Sequence, residues 1–585
     1  MQPSSRPPRK RWRFLRLAAP YWRSERKWTI RGAVALLLAL TLGQVGLVIW
    51  TSYWQRELFD ALEDRSLQAL LTQIATFAVI FLLTMLVTAL HLHVKRWLQL
   101  DWRRWMTERL LDQWLSRGHH YQLLFKEGEH DNPDGRIAED IRIVTDSAIG
   151  LAHSLIYSLL ILGSFIDILY GLSGSLLIPG TSIAVPGYLV ILAFLYAGGG
   201  TLLGLLLGRP LVKATNRLQT VEANLRFGLA RAREHSESIA LMHGEPVERR
   251  HAERLFADVG RGWNRQTLGY LGIVSFSTGY GALLPVFPIL VAAPQYIAGL
   301  MSLGILMQAA MAFQRLTSAL SWPVDNLGEL AKCRASADRV VSLYQDMLDL
   351  EQQAREPMEH RIELRHGDSA HLRLNDLSLA NPDGEVLLEH LNLSVRRGER
   401  ILIAGDPAVT ISLFKAVAGL WPWGSGEICL PADTALVFLP QRPFLPEGPL
   451  RSALSYPYAT SHFSDSELRH ALECAGVAWL TARLDDSDSW DRVLPMRALQ
   501  RLGIARVLLQ RPAWVFMEQA TDASDANGED CLLDVLHQEL PNSTLLSISF
   551  HTGLERHFSR KLVLNRLAEP RFLNCSQPTC ALRKS

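Results

Sequence analysis

The sequence predicts a helical membrane domain followed by an α/β domain. Three observations carry that prediction. Long apolar blocks with almost no charge fill the first half of the chain. The loops between them alternate between Lys/Arg-rich and uncharged. After about residue 365, short strand-like runs alternate with helical stretches and turn residues.

The apolar blocks come first in the chain. A helix needs roughly 20 apolar residues to cross a bilayer. Six stretches meet that length, at about 30–50, 70–92, 148–172, 187–208, 271–293 and 298–321. In the fifth, Pro285, Pro288 and Pro294 are expected to interrupt the helix. Buried helices of a water-soluble protein would need more charge over so many runs. The first block is too long for a signal peptide and no small-residue cleavage pattern follows it, so it is expected to stay.

Charge sets the expected orientation. Residues 1–27 carry nine Lys/Arg against one acid, Glu25. A nucleic-acid arm has that composition, but a basic segment directly before an apolar block reads as a cytoplasmic flank. Segments 93–146 and 209–268 are rich in Lys/Arg, and segments 174–186 and 294–297 have no charge. Segment 51–69 has two Arg against four acids. The N-terminus, both long loops and everything after the sixth span are therefore expected in the cytoplasm. The long loops are helical in pattern and read as extensions of the spans.

Cysteines add little. Cys333, Cys429, Cys474, Cys531, Cys575 and Cys580 form no metal-ligand spacing. Cys575 and Cys580 sit in the C-terminal tail, where pairing or metal binding is an alternative, but free thiols in a reducing compartment are the simpler expectation.

The α/β region offers one phosphate-binding candidate. A strand at Arg400–Ala404 runs into Gly405-Asp406-Pro407-Ala408-Val409-Thr410-Ile411-Ser412. A phosphate loop reads G-x-x-x-x-G-K-[ST], with open backbone N–H groups and a Lys for the anion. Only Gly405 and Ser412 fit. Thr410 stands at the second Gly and Ile411 at the Lys. By itself this run does not identify a phosphate site.

The runs around it do more. Ala418-Gly419-Leu420-Trp421-Pro422-Trp423-Gly424-Ser425-Gly426-Glu427 follows, then Phe438-Leu439-Pro440-Gln441-Arg442-Pro443, then Gln500 through Pro512 leading into a strand at Trp514. In the first half stand Asn132-Pro133-Asp134-Gly135-Arg136-Ile137-Ala138-Glu139-Asp140, the Glu237-Ser238-Ile239-Ala240 run with Gly244, Glu245 and Glu248, and Ala335–Arg339. In order and spacing these resemble ABC transporters, over about residues 10–570. The resemblance is to half-transporters related to the SbmA/BacA peptide permeases and the peroxisomal fatty-acyl transporters. It implies an exporter-type domain of six spans fused to an ABC ATPase-like domain. It also implies ATP and Mg as cofactors, a homodimer in a bacterial inner membrane, and peptides or bulky amphipathic compounds as cargo.

The departures from that family are concentrated where its chemistry lies. Registered on the Gly-Leu-Trp-Pro run, the phosphate loop is one residue short. Val409 and Thr410 then stand at the Gly and Lys, so cradle and cation are missing in either register. The Mg-holding Asp and catalytic Glu of the family correspond to Glu518 and Gln519. Gln519 cannot accept a proton from an attacking water. The family's L-S-x-G-E corresponds to Leu494-Pro495-Met496-Arg497-Ala498. Gln441, Asp525 and His551 remain at family positions. Since each ATP site combines one chain's loop with the other's signature, an intact partner would complete neither.

The expected layout is a basic segment at 1–27, a transmembrane domain at 28–350, a degenerate nucleotide-binding-type domain at 365–570 and a tail at 571–585. Three functions are compatible with it. The first is a transporter that has lost ATP hydrolysis and runs on a gradient or passively. The second is an ATP-driven transporter with an atypical site. The third is a non-transporting regulator or immunity protein. For the first, Asp167 inside the third span and Glu237, Glu245 and Glu248 in the second cytoplasmic loop are candidate transport residues. An interfacial Asp and coupling-loop salt bridges are the plainer readings of these four.

Overall fold

The computed structural model describes residue 14 and residues 17–125, 132–177, 184–355, 361–367, 371–431, 435–524, 526–551, 553–568 and 570–574. Asp525, Cys575 and Cys580 lie outside the described residues, as do most of segment 1–27 and most of the tail. The chain divides into two compact units, 1–113 with 131–346, and 114–130 with 347–585.

The first unit is helical. Its main elements are α1 (Lys27–Glu63), α2 (Leu67–Leu115), α3 (Ile141–Ser173), α4 (Tyr188–Glu234), α5 (Glu245–Ile297), α6 (Leu303–Asp325) and α7 (Leu327–Arg355). At 1.5 Å per residue, the 53 residues of α5 extend for roughly 80 Å, far beyond a bilayer core. The loops expected to prolong the spans therefore do so. Their apolar faces are bare: Leu82 and Leu195 are each 65% exposed, as lipid contact requires.

One expectation is met in part and one is corrected here. Among the described residues five helices, α1 to α5, are long and apolar enough to cross a membrane by length and composition. The sixth predicted span forms a helix, α6, but Gln308, Gln314 and Arg315 interrupt its apolar run. The prolines of the fifth span do not break it. Pro285, Pro288 and Pro294 all lie inside continuous α5. A Pro removes one intrahelical bond; around Pro288 packing offsets this, since Pro288 and Ala292 are buried, while Pro285 and Pro294 are exposed.

The core of this unit gathers Phe165, Leu169, Leu189, Ala193, Ala292, Phe313 and Leu316. The start of α6 is fixed by acids from the end of α1. Glu63 Oε2 accepts from Leu303 N at 2.8 Å and Asp60 Oδ1 from Gly304 N at 3.0 Å. Carboxylates there satisfy free amides and oppose the positive end of the helix dipole. A side chain at Gly304 would collide with Arg56 O and Asp60. The acids of segment 51–69 thus have a structural use. Further along, Arg339 Nε donates to Asp140 Oδ2 at 2.8 Å, joining two motifs far apart in sequence.

The second unit is α/β. A six-stranded sheet runs in the order β10-β9-β4-β8-β7-β6. Its strands are β4 (Arg400–Gly405), β6 (Leu436–Leu439), β7 (Trp514–Glu518), β8 (Thr544–Ile548), β9 (Arg560–Leu564) and β10 (Arg571–Asn574). All pairs are parallel except β9–β10. A four-stranded sheet, β1-β5-β2-β3, is built from β1 (Glu363–Gly367), β2 (Leu372–Ala380), β3 (Val386–Val395) and β5 (Gly424–Pro431). Every strand-like run read from the sequence forms a strand. Helices α8 (Pro407–Val417), α9 (Met496–Gln510) and α10 (Ala526–Glu539) complete the elements that frame the candidate site. Buried β4 and β8, with four of four and five of five leading residues inside, are covered on both faces.

Candidate functional site

The carboxyl ends of parallel strands are where α/β sheets bind ligands, so the site is built outward from β4, β7 and β8. Strand β4 passes into α8 through a single residue, Asp406. Gly405 has φ +126, and a Cβ there would strike the backbone of Leu564 on β9. This glycine serves the close approach of two strands. Asp406 N donates to Leu564 O at 2.8 Å and extends the same contact.

The start of α8 already holds an anion, its own. Asp406 Oδ1 accepts from Ala408 N at 2.8 Å, and Pro407 in the first turn has no N–H to offer. Thr410 is fully buried and its hydroxyl bonds Asp406 O at 3.1 Å. Ser412 is 5% exposed and Ile411 half-buried. A phosphate loop instead leaves several amides open around a cavity and adds a cation. Gly405, Thr410, Ile411 and Ser412 are brought together, but as a compact strand–helix corner. The cation nearest in sequence, Lys415, lies with its Nζ 5.8 Å from the Tyr121 ring centre and 5.7 Å from that of Trp421.

At the ends of β7 and β8 a second group assembles. Gln441 Nε2 donates to Gln519 Oε1 at 3.0 Å. Gln519 itself stands at φ +48 and its N–H bonds Ile548 O at 2.8 Å. Buried Gln500 on α9 ties the pair from behind: its Nε2 donates to Gln441 O at 3.1 Å and Gln519 O at 3.0 Å, and its Oε1 accepts from Ala523 N at 2.9 Å. Glu518 precedes Gln519, half-buried. Desolvation raises its carboxyl above the usual range, with the Lys415 charge opposing.

His551 is held by a residue that the motif reading did not single out. Its Nδ1 lies 2.6 Å from Glu529 Oε2, and Thr521 Oγ1 donates to Glu529 Oε1 at 2.6 Å. Glu529 is 1% exposed and its bond to the imidazole raises the His551 pKa. Asp522 lies beside them, its carboxyl raised by burial. One ligand atom from each of Asp522, Glu529 and His551 falls within 4.8 Å of the others. Nothing in the chain marked Glu529, since it is 22 residues from His551 and on another element.

MgATP finds little here that fits. At the corner the Asp406, Ala408 and Thr410 amides are already bonded within the chain, Lys415 lies against two aromatic rings, Ser412 is buried, and the groups at the Walker B positions are a desolvated carboxyl and an amide. At the family's signature position, Pro495 caps α9 without any side-chain hydrogen bond. No step through MgATP follows from these residues.

The remaining sequence candidates are spread apart. Asp167 is exposed, six residues before the end of α3. Glu237 is in a short helix, Ser236–Leu241, and Glu245 and Glu248 open α5. None of these four forms an ion pair among the described residues. The salt bridges expected of the three glutamates are absent there. What the sequence did not single out is a cavity of about 310 Å³ among the spans. It is lined by Gln44, Leu47, Val48, Thr51, Thr84, Thr88, His153, Tyr157 and Arg315.

Residues 114–125 pack with the second unit. Phe125 meets Trp421 and Trp423 edge-on at 5.7 and 5.1 Å between ring centres. A side chain at Gly118 would press on Leu420.

Residues 17–281 match the protein-family model described as ABC transporter transmembrane region 2. The chain is 28% identical over 549 residues to the inner membrane ABC transporter ATP-binding protein YddA of Escherichia coli, covering 93% of this chain and 95% of that protein. It is 27% identical over 647 residues to ABC transporter D family member 2, chloroplastic, of Arabidopsis thaliana, covering 97% and 89%. It is 24% identical over 589 residues to the lysosomal cobalamin transporter ABCD4 of Homo sapiens, covering 94% of each.

Proposed function

We propose that this chain is an ABC-type half-transporter that no longer hydrolyses ATP. It acts as a homodimer in a bacterial inner membrane, with six spans per chain and the N-terminus and α/β unit in the cytoplasm. It moves an amphipathic compound or peptide, driven by a gradient or passively.

The observation that carries this reading is the corner at Asp406. Where a phosphate would be cradled, the helix start is capped by the chain's own carboxylate, and no Lys stands at the family's position. Gln519, held by Gln441, offers no base. Residues 17–281 match a family model of an ABC transporter's transmembrane region, and the departures from the family pattern gather at the nucleotide site. Similarity along more than nine-tenths of the chain to named ABC transporters supports a transport role. The sixth span is α6, whose polar residues belong to a pathway rather than to lipid.

ATP turnover by the purified protein in lipid tests this. The comparison is with a Ser412→Ala, His551→Ala variant and with Thr410→Gly, Ile411→Lys, Gln519→Glu. The natural protein is expected to match the first variant. Turnover above that background sinks the reading.

A further inference from the structure

We infer that the cavity between α1, α2, α3 and α6 is a binding site for the acidic headgroup of an amphipathic anion, with Arg315 as its counter-charge. This rests on the transporter reading and names the substrate class for it.

The cavity is placed where a cargo site belongs. Gln44 and Thr84 lie about twenty residues either side of the α1–α2 turn, hence roughly 30 Å along each helix from it. Its volume of about 310 Å³ sits at the small end of ligand pockets, which run roughly 300–1,000 Å³. The lining is amphipathic. Thr84, Thr88, Gln44 and Tyr157 supply hydrogen-bond donors, and Leu47 and Val48 supply an apolar wall, while the Thr51 hydroxyl already donates to Leu47 O at 2.7 Å.

Its charge is one-sided. Arg315 forms no ion pair among the described residues, and no lining residue is acidic. An unpaired guanidinium among membrane helices is costly and by default marks a functional path. Two histidines stand beside it. His153 lines the cavity, and its ring stands 4.2 Å from that of His91. Nε2 of each ring is buried and has no hydrogen-bond partner among the described residues. Lys95 Nζ lies nearby, 4.0 Å from where a Cβ on Gly150 would stand. A carboxylate or other acidic head satisfies the guanidinium and accepts from the Gln44, Thr84 and Thr88 donors of the lining. A cationic cargo finds no counter-charge there.

An acidic head has two sources, a cargo molecule or an anionic lipid. The test titrates laurate, and dodecanol as its uncharged match, into the full-length protein in zwitterionic nanodiscs by calorimetry. Laurate is expected to bind at least about tenfold more tightly, the scale of one charge-assisted contact. Arg315→Gln is expected to erase that preference, and Arg315→Lys to keep most of it. Equal affinities in the natural protein, or an undiminished preference in Arg315→Gln, overturn the inference. If Arg315→Gln does not fold, Thr84→Val with Thr88→Val, which leaves the cation in place, is expected to weaken laurate severalfold and leave dodecanol unchanged. No change there counts against the site. Repeating the titration with phosphatidylglycerol present separates the sources: displacement of laurate identifies a lipid head as occupant, and undisturbed binding identifies the cargo. ATP turnover enters none of these titrations, so a protein that hydrolyses ATP yet prefers laurate refutes the proposed function and leaves the site standing.

Discussion

Gln441 and Gln519 bond each other directly, amide to amide at 3.0 Å, across the carboxyl ends of β6 and β7. In a hydrolytic site the second position would carry a carboxylate aimed at water. Here both ends of the bond are neutral, and Gln500 fixes the backbone of each.

Gln519→Glu alone is therefore expected to leave ATP turnover at background. It supplies a base, but not the amides and cation that hold phosphate. A turnover assay in nanodiscs checks this, and a clear gain in rate would show that the β4–α8 corner admits nucleotide after all.

Asp406→Ala removes the cap of α8. The expected loss is about 1 kcal/mol of stability, the usual cost of an N-cap. Asp406→Asn keeps an acceptor and is expected to lose a few tenths. Thermal unfolding of the three proteins, followed by near-ultraviolet circular dichroism, decides between capping and a purely electrostatic role.

Gly405→Ala tests what the glycine is for. The residue sits at φ +126 and its Cβ would meet the backbone of Leu564. Strain of this kind costs on the order of 1–3 kcal/mol before the collision is counted. A large fall in melting temperature is expected. A variant as stable as the natural protein would mean that β4 and β9 can part.

The pH dependence of stability follows from His551. Its pKa is raised because it bonds Glu529, so it holds its proton more tightly folded than unfolded. That contribution is complete below the unfolded value of about 6.5 and fades as pH rises through the higher folded value. The melting-temperature gap between natural protein and His551→Gln is accordingly expected to be wider at pH 6 than at pH 9. A gap of constant width would break the assignment. Glu518 works in the opposite direction. Burial raises its carboxyl, so ionisation costs stability at neutral pH, and Glu518→Gln is expected to melt higher than the natural protein at pH 7, by less at pH 5.

Arg339→Ala would leave Asp140, whose side chain is 8% exposed, without its bidentate partner. Arg339 is itself 46% exposed, which moderates the pairing. A loss of about 2 kcal/mol is expected, less than for a wholly buried pair. The double variant with Asp140→Asn should recover part of it, read by the same melting experiment.

Local pattern was sufficient for much of this molecule. Apolar runs near 20 residues declare membrane helices because lipid offers the backbone no other partner. An alternating run such as Leu372–Ala380 and a continuously buried one such as Thr544–Ile548 declare strands, since period and burial are written in neighbouring residues. The missing Lys and Gly around Thr410 and Ile411, and Gln519 in place of an acid, are also matters of residue type alone. Tertiary structure decided whatever depends on residues distant in sequence. It carried α5 unbroken through three prolines, of which Pro288 is packed inside and Pro285 and Pro294 are exposed. It turned Gly405 from a phosphate glycine into a point of strand contact with Leu564, 159 residues away by number. It paired His551 with Glu529 and Gln441 with Gln519, and it gathered Gln44, Thr88, His153 and Arg315 from four helices around one cavity. None of those meetings has a local signature, because a side chain's charge and shape are in the sequence but its neighbours are chosen by the fold.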